Sequence, residues 1–148
     1  MLVLLHEYAH HFLISNSRMP SPRWVGEGAA EFFASAEVPK AGGIKIGMPA
    51  HHRAGELYYA KDVKIEQLLD PAAYSRGVQT GFDAFYGRSW LLYHYLTLGQ
   101  QRPGQLRQYL TLIGRGKRGR TSNCANRSAK ANWSIRMKGS IISGSERS

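Results

Sequence analysis

The sequence predicts a mainly α-helical domain that carries one small β element. Four segments, residues 2–15, 24–36, 85–98 and 105–113, are rich in apolar residues and long enough to form helices. Stretches with glycine and proline separate these segments, and one stretch alternates apolar and polar residues as a short hairpin does. A chain of 148 residues, 43% of them hydrophobic, is sufficient for one domain with an apolar core.

The first two predicted helices differ in residue type and therefore in the packing that we expect for each. Residues 2–15 are apolar nearly all round, which is typical of a helix buried in a core. Residues 16–22 contain turn-forming residues and predict a loop. The second helix, from Trp24 to Ala36, contains Gly26 and Gly28, which lower its helix propensity. Such glycines often permit close approach of another group to the backbone, and a metal centre is one reason for it.

The centre of the chain predicts short elements. Residues 41–43, Ala-Gly-Gly, precede the alternating sequence Ile-Lys-Ile-Gly, which predicts a hairpin within residues 37–50. Residues 56–76 are mixed in character. Within them, Val63 to Leu69 forms an amphipathic element that ends at Asp70-Pro71.

Two further helices are predicted before the character of the chain changes. One runs from Phe85 to Leu98, with Gly99 as its stop, and the other covers Gln105 to Ile113 and ends at Gly114. Residues 115–148 are rich in Ser, Arg, Lys and Asn and lack periodicity, so we interpret them as a disordered tail.

The net charge of +10 belongs mainly to this tail. Residues 1–114 contain 11 Lys and Arg against 9 Asp and Glu, a net of +2, whereas residues 115–148 contain 9 against one, a net of +8. The folded part is therefore near neutral, which argues against a basic patch on its surface. Nucleic-acid binding through the tail is an alternative function, but no zinc finger, helix-turn-helix or mixture of aromatic and basic residues supports it.

A metal-binding motif lies on the first predicted helix. Residues 6–10 read His-Glu-Tyr-Ala-His, the pattern H-E-x-x-H. His6 and His10 are four residues apart, so both imidazoles can reach one ion, and Glu7 lies beside the same face. Two neutral nitrogen donors with a carboxylate near the open position suit catalytic zinc, and the single cysteine, Cys124, excludes a cysteine site. The alternative is a buried helix that contains these residues by chance, but burying three unpaired ionisable groups would be costly.

Glu27 and Glu31 are candidate partners of this motif. They are i and i+4 in the second predicted helix, whose other positions are almost all apolar, so they share a face. Two adjacent carboxylates repel each other unless a cation or a donor lies between them. A metal bound by Glu27, with Glu31 accepting a hydrogen bond from a ligand histidine, would remove that conflict. The alternative is a solvated acidic stripe on the helix surface.

The H-E-x-x-H motif followed by W-x-x-E-G-x-A-E-F over residues 24–32 resembles the gluzincin metallopeptidases, most closely the peptidase MA-like group. The resemblance covers residues 2–114. It implies that the chain forms the zincin-like helical active-site subdomain, with a small hairpin, of a domain that is α+β when complete. It also implies that Glu27 is the third zinc ligand and that Glu31 orients a ligand histidine. Sixteen residues separate His10 from Glu27, slightly fewer than in thermolysin-like enzymes.

The third predicted helix extends the resemblance. Residues 86–96 are similar to a segment of aminopeptidase N-like enzymes that begins with a tyrosine and continues as an apolar helix. This similarity implies that Tyr86 donates a hydrogen bond to the oxyanion of the transition state. An aromatic side chain packed in the core is an equal alternative. Because a lone histidine is usually not a ligand, His11, His51 and His52 are left outside the predicted site.

The first residues of the chain bear on its extent. Met1 to Leu5 are too few for a secretory signal, and the apolar stretch is too short to cross a bilayer. A helix that must be buried normally lies inside a domain, so we expect Met1 to be an internal or truncated start. We therefore interpret residues 1–114 as a gluzincin-like catalytic core without its N-terminal sheet.

The resemblance implies zinc-dependent hydrolysis of peptide bonds. One Zn²⁺, bound by His6, His10 and Glu27, would activate water, with Glu7 as general base and a peptide or protein as substrate. The main alternative is a fragment that binds zinc but is inactive, because the sheet on which gluzincins bind substrate is not expected in this chain.

Overall fold

The computed structural model describes residues 2–16, 21–77 and 82–118, with side chains described as far as residue 115. Over these residues the fold is mainly α-helical, as predicted. The helices of the described part are α1 Leu2–Asn16, α2 Arg23–Ala34, α3 Ala54–Tyr59, α4 Ile65–Leu69, α5 Pro71–Gly77, α6 Phe85–Leu98 and α7 Gln105–Arg118, with a 3₁₀ turn at His51–Arg53. None of them is long and apolar enough to span a membrane.

The chain divides into two compact units, Met1–Leu106 and Arg107–Ser148, and the second is described only over residues 107–118. The last helix begins at Gln105 as predicted but continues to Arg118, four residues beyond its predicted end at Gly114. A glycine within a helix costs only about 1 kcal/mol relative to alanine, so Gly114 does not end this helix. The rest of the predicted basic tail, residues 119–148, lies outside the described residues.

Helices α2 and α6 form the core of the first unit. Trp24 of α2 is completely buried, as is Ser89 of α6. The backbones approach closely at Gly28, where a Cβ atom would lie 2.4 Å from the carbonyl oxygen of Ser89 and 2.8 Å from the Cβ of Tyr93. Gly28 therefore serves the packing of two helices. The prediction that α6 runs from Phe85 to Leu98 is confirmed.

Helix α1 is not the buried core helix that its composition predicts. Its principal partner among the described residues is α2, and Ala9 is its one buried residue. Val3, Leu4 and Ile14 are between 72 and 75% exposed. The prediction was wrong because composition gives only the hydrophobicity of a helix. Burial also requires neighbours on every side of the helix, and α2 covers one side.

The β element is smaller than the alternation predicts. Glu37 and Lys45 form one antiparallel bridge and exchange two backbone hydrogen bonds, with N···O distances of 3.0 and 2.8 Å. Gly42 and Gly43, which have positive φ, reverse the chain between them. Ile44 is exposed, and no sheet forms within the described residues.

The segment between the bridge and α6 contains three short helices where one element was predicted. α4 lies within the predicted Val63–Leu69, and α5 begins directly after Asp70. α3 was not predicted. It follows the 3₁₀ turn and packs against the beginning of α6, which brings its residues close to the site described below.

Candidate metal centre

Helices α1 and α2 bring three potential metal ligands together. His6 Nε2 and His10 Nε2 lie 3.0 Å apart, His10 Nε2 lies 3.1 Å from Glu27 Oε2, and His6 Nε2 lies 3.5 Å from the same oxygen. The i, i+4 spacing places the two imidazoles on one face of α1, with ring centroids 4.7 Å apart. Within the described residues this is the cluster that could hold a metal ion.

The geometry of these atoms fits a tetrahedral zinc ion. Zinc–nitrogen and zinc–oxygen bonds of about 2.0–2.2 Å place neighbouring ligand atoms about 3.4 Å apart. The three separations, 3.0, 3.1 and 3.5 Å, are close to that value. The side chains are between 15 and 25% exposed, so solvent can reach the cluster.

Glu31 lies one turn beyond Glu27 on α2 and is almost completely buried, with a side chain 1% exposed. Its Oε1 lies 3.0 Å from His6 Nδ1. An ionised carboxylate has no donor, so its charge at this distance favours a proton on Nδ1 of His6. In a neutral imidazole with a proton on Nδ1, Nε2 keeps a free lone pair, and that nitrogen faces His10 and Glu27.

Two residues that the sequence did not assign to the site also bind Glu31. His52 Nε2 lies 2.6 Å from Glu31 Oε2, and Arg53 Nη2 donates to Glu31 Oε1. Desolvation by itself would raise the pKa of Glu31, but the hydrogen bonds from Arg53 and His52 and the positive charge of Arg53 hold that pKa below its usual value. Glu31 therefore stays ionised although it is buried.

Arg53 continues the network to helix α3. Its Nη1 donates to Glu56 Oε2 at 3.0 Å, and the hydrogen bond to Glu31 raises the already high pKa of the guanidinium. Glu56, which is also buried, accepts a hydrogen bond of 2.7 Å from the backbone N–H of Gly87 at its other oxygen. One arginine thus connects the carboxylate behind His6 with the first turn of α6.

Tyr86, the predicted oxyanion donor, lies beside the cluster. Its ring centroid is 6.5 Å from that of His6, and the guanidinium carbon of Arg53 lies 4.8 Å from the centre of its ring. Glu7, the predicted base, follows His6 directly on α1 and is exposed to solvent. In the structure, His6, His10 and Glu27 are therefore in direct contact, and Tyr86 lies at the edge of this cluster.

Sequence reasoning missed His52, Arg53 and Glu56. They lie 21 or more residues from Glu31 along the chain, and none belongs to a motif of fixed spacing. The sequence gives one weak indication of their role, the run His51-His52-Arg53 in a segment that is otherwise nearly neutral. Their proximity to the cluster results from the path of the chain between α2 and α3.

The fold and the site define a mainly helical protein with a candidate centre of two histidines and one glutamate. The chain belongs to the family described as Protein of unknown function (DUF1570), whose model matches residues 3–116. That description assigns no activity. No curated protein and no solved structure matches the chain.

Proposed function

We propose that this chain binds one zinc ion through His6, His10 and Glu27 and belongs to a peptidase of the gluzincin kind. The observation that carries the proposal is the convergence of these ligand atoms to 3.0–3.5 Å, with Oε1 of Glu31 3.0 Å from Nδ1 of His6. His6, His10 and Glu27 offer the nitrogen and oxygen donors that zinc prefers, and Glu31 offers the carboxylate that often accompanies a histidine ligand.

The chain's own residues would divide the reaction as follows. His6, His10 and Glu27 would hold the ion, which when bound would act as a Lewis acid toward water and the substrate carbonyl. Glu7 removes a proton from the attacking water and delivers it to the leaving amine. Tyr86 donates its phenolic O–H to the developing oxyanion.

The test is zinc titration of the purified, metal-free chain. We expect about one zinc per chain, and we expect Glu27→Ala to lower this occupancy sharply because two imidazoles alone hold zinc weakly. Glu37→Ala is the matched control, because Glu37 is an exposed carboxylate close to the end of α2. Wild-type protein without zinc, or equal occupancy in the Glu27→Ala protein, would contradict the proposed ligand set.

A further inference from the structure

We infer that Arg53 is a positioning residue that holds His6 and Tyr86 in one geometry by connecting the two buried carboxylates behind them. The inference rests on the proposed function, because its purpose is the orientation of a metal ligand. It assigns a role to a residue that lies outside the H-E-x-x-H and glutamate motifs.

The first connection runs toward the metal centre. Arg53 donates to Oε1 of Glu31, which lies 3.0 Å from Nδ1 of His6, and His52 donates to Oε2. With Arg53 fixed, the position of that oxygen is fixed, and with it the charge that faces Nδ1 of the His6 ring. A displacement of the Glu31 carboxylate would therefore alter the orientation of His6 without removing this ligand.

The second connection runs toward Tyr86. Nη1 of the guanidinium donates to Glu56, and Glu56 accepts a hydrogen bond from the backbone N–H of Gly87. Gly87 allows α3 to pack directly on α6, since a Cβ there would lie 2.8 Å from Leu57 Cγ. The guanidinium also lies near the face of the Tyr86 ring, within the range of a cation–π contact.

The planar fork of arginine is essential to this arrangement. Two of its nitrogens reach carboxylates on different helices, while its flat face lies near an aromatic ring. A lysine keeps the charge but offers one nitrogen and no planar group. Arg53→Lys is therefore the informative variant: it keeps a positive charge near Glu31 and Glu56, but its single nitrogen cannot reproduce the two hydrogen bonds that separate guanidinium nitrogens make.

The test compares the full-length wild type, Arg53→Lys and the control Arg88→Lys. Arg88 pairs with Asp62 on the surface, so its replacement changes an exposed arginine–carboxylate pair that is not bonded to Glu31 or Glu56. We expect Arg53→Lys to bind zinc roughly tenfold more weakly and to change the visible absorption spectrum of the Co²⁺-loaded protein. A residue with a merely structural role would lower the melting temperature and leave the cobalt spectrum of the folded protein unchanged.

The second connection has its own measurement. Hydrogen exchange of the Gly87 amide, followed by NMR in metal-free protein, should be faster in Arg53→Lys than in wild type, because Glu56 loses its fixed partner. If Arg53→Lys does not fold, Glu56→Gln takes its place. The glutamine side chain of that variant keeps an acceptor for the Gly87 amide and lacks the charge that binds Arg53, so a smaller change in the cobalt spectrum is expected.

The outcomes separate the two proposals. If wild type binds zinc and Arg53→Lys has the same affinity, cobalt spectrum and Gly87 exchange, the inference about Arg53 is overturned and the proposed function stands. If wild type binds neither Zn²⁺ nor Co²⁺, the proposed function is overturned and the inference with it.

Discussion

Glu31 carries a negative charge into the interior of the first unit, where an unpaired carboxylate would cost several kcal/mol. The hydrogen bonds from Arg53 and His52 and the close imidazole of His6 compensate that cost. Both oxygens of the buried carboxylate are engaged, Oε1 by Arg53 and Oε2 by His52. The same carboxylate lies 3.0 Å from Nδ1 of a candidate ligand.

Replacing Glu31 by Gln should affect stability and metal binding together. The side chain keeps its size but loses the charge opposite Arg53, and its amide nitrogen cannot accept from His52. We expect the free energy of unfolding to fall by about 1–3 kcal/mol and zinc affinity to fall roughly tenfold. Urea unfolding and zinc titration measure these effects, with Glu37→Gln as the exposed control. Unchanged affinity would mean that Glu31 stabilises the fold without acting on His6.

Glu7 should separate catalysis from metal binding. It is predicted to be a base and not a ligand, so Glu7→Gln should retain about one zinc per chain while removing peptide hydrolysis by any form of the protein that is active. Elemental analysis and a peptidase assay on the same preparation provide the comparison. Loss of zinc in this variant would show that Glu7 had been assigned the wrong role.

The pairing of α2 with α6 illustrates how one position controls the contact between two helices. Gly28 and Gly26 are both in α2, and sequence alone gives them the same cost in helix propensity. Their surroundings differ, because Gly28 lies against the backbone of α6 whereas a Cβ at Gly26 would meet only Ser21 Oγ, at 3.8 Å.

Alanine substitutions at these two glycines should have opposite effects. Gly28→Ala forces the helices apart and should destabilise the metal-free protein by about 1–3 kcal/mol. Gly26→Ala meets no obstacle and should stabilise it by about 0.5–1 kcal/mol, through improved helix propensity. Urea unfolding midpoints of the two variants give the answer. A loss of stability in both would show that the space at Gly26 is smaller than described.

Helix α1 combines two faces with different properties. One face contacts α2 and carries His6, His10 and the buried Ala9. The other exposes large apolar side chains, Leu4, Tyr8 and Ile14 among them. The apolar character that predicted burial is real, but the described part of the chain covers only the face that carries the histidines.

On the scale of the complete chain, the candidate centre and the basic tail are separate features. Every residue of the cluster and of the Arg53 network lies in the unit Met1–Leu106. The excess of positive charge lies in residues 115–148, of which the structure describes the first four.

Removal of residues 119–148 should therefore leave metal binding unchanged. The shortened chain ends at the last residue of α7 and retains every candidate ligand. We expect the same zinc stoichiometry and, once salt screens the charge of the removed residues, the same affinity within about twofold. Zinc titration of both chains at two salt concentrations provides the measurement. Loss of metal from the shortened chain would show that the tail contributes to the site.

Much of the local structure follows from the sequence alone. The spacing of His6 and His10, and of Glu27 and Glu31, sets which side chains share a helical face, since that depends only on the helical repeat. The bounds of α6 were predictable because an apolar run ends at Gly99. The role of Glu27 as a metal ligand and the catalytic roles of Glu7 and Tyr86 stay predictions. Glu27 lies in the candidate cluster, and Tyr86 lies beside it.

The remaining features depend on the path of the chain between helices. The bonds of Glu31 to His52 and Arg53, and of Glu56 to Gly87, join residues 21 to 31 positions apart, and no local periodicity specifies such distances. Likewise, the same apolar pattern in α1 is compatible with a buried or an exposed helix until its neighbours are known. Local spacing therefore determines which groups a helix presents, and only the packing of helices determines which groups they meet.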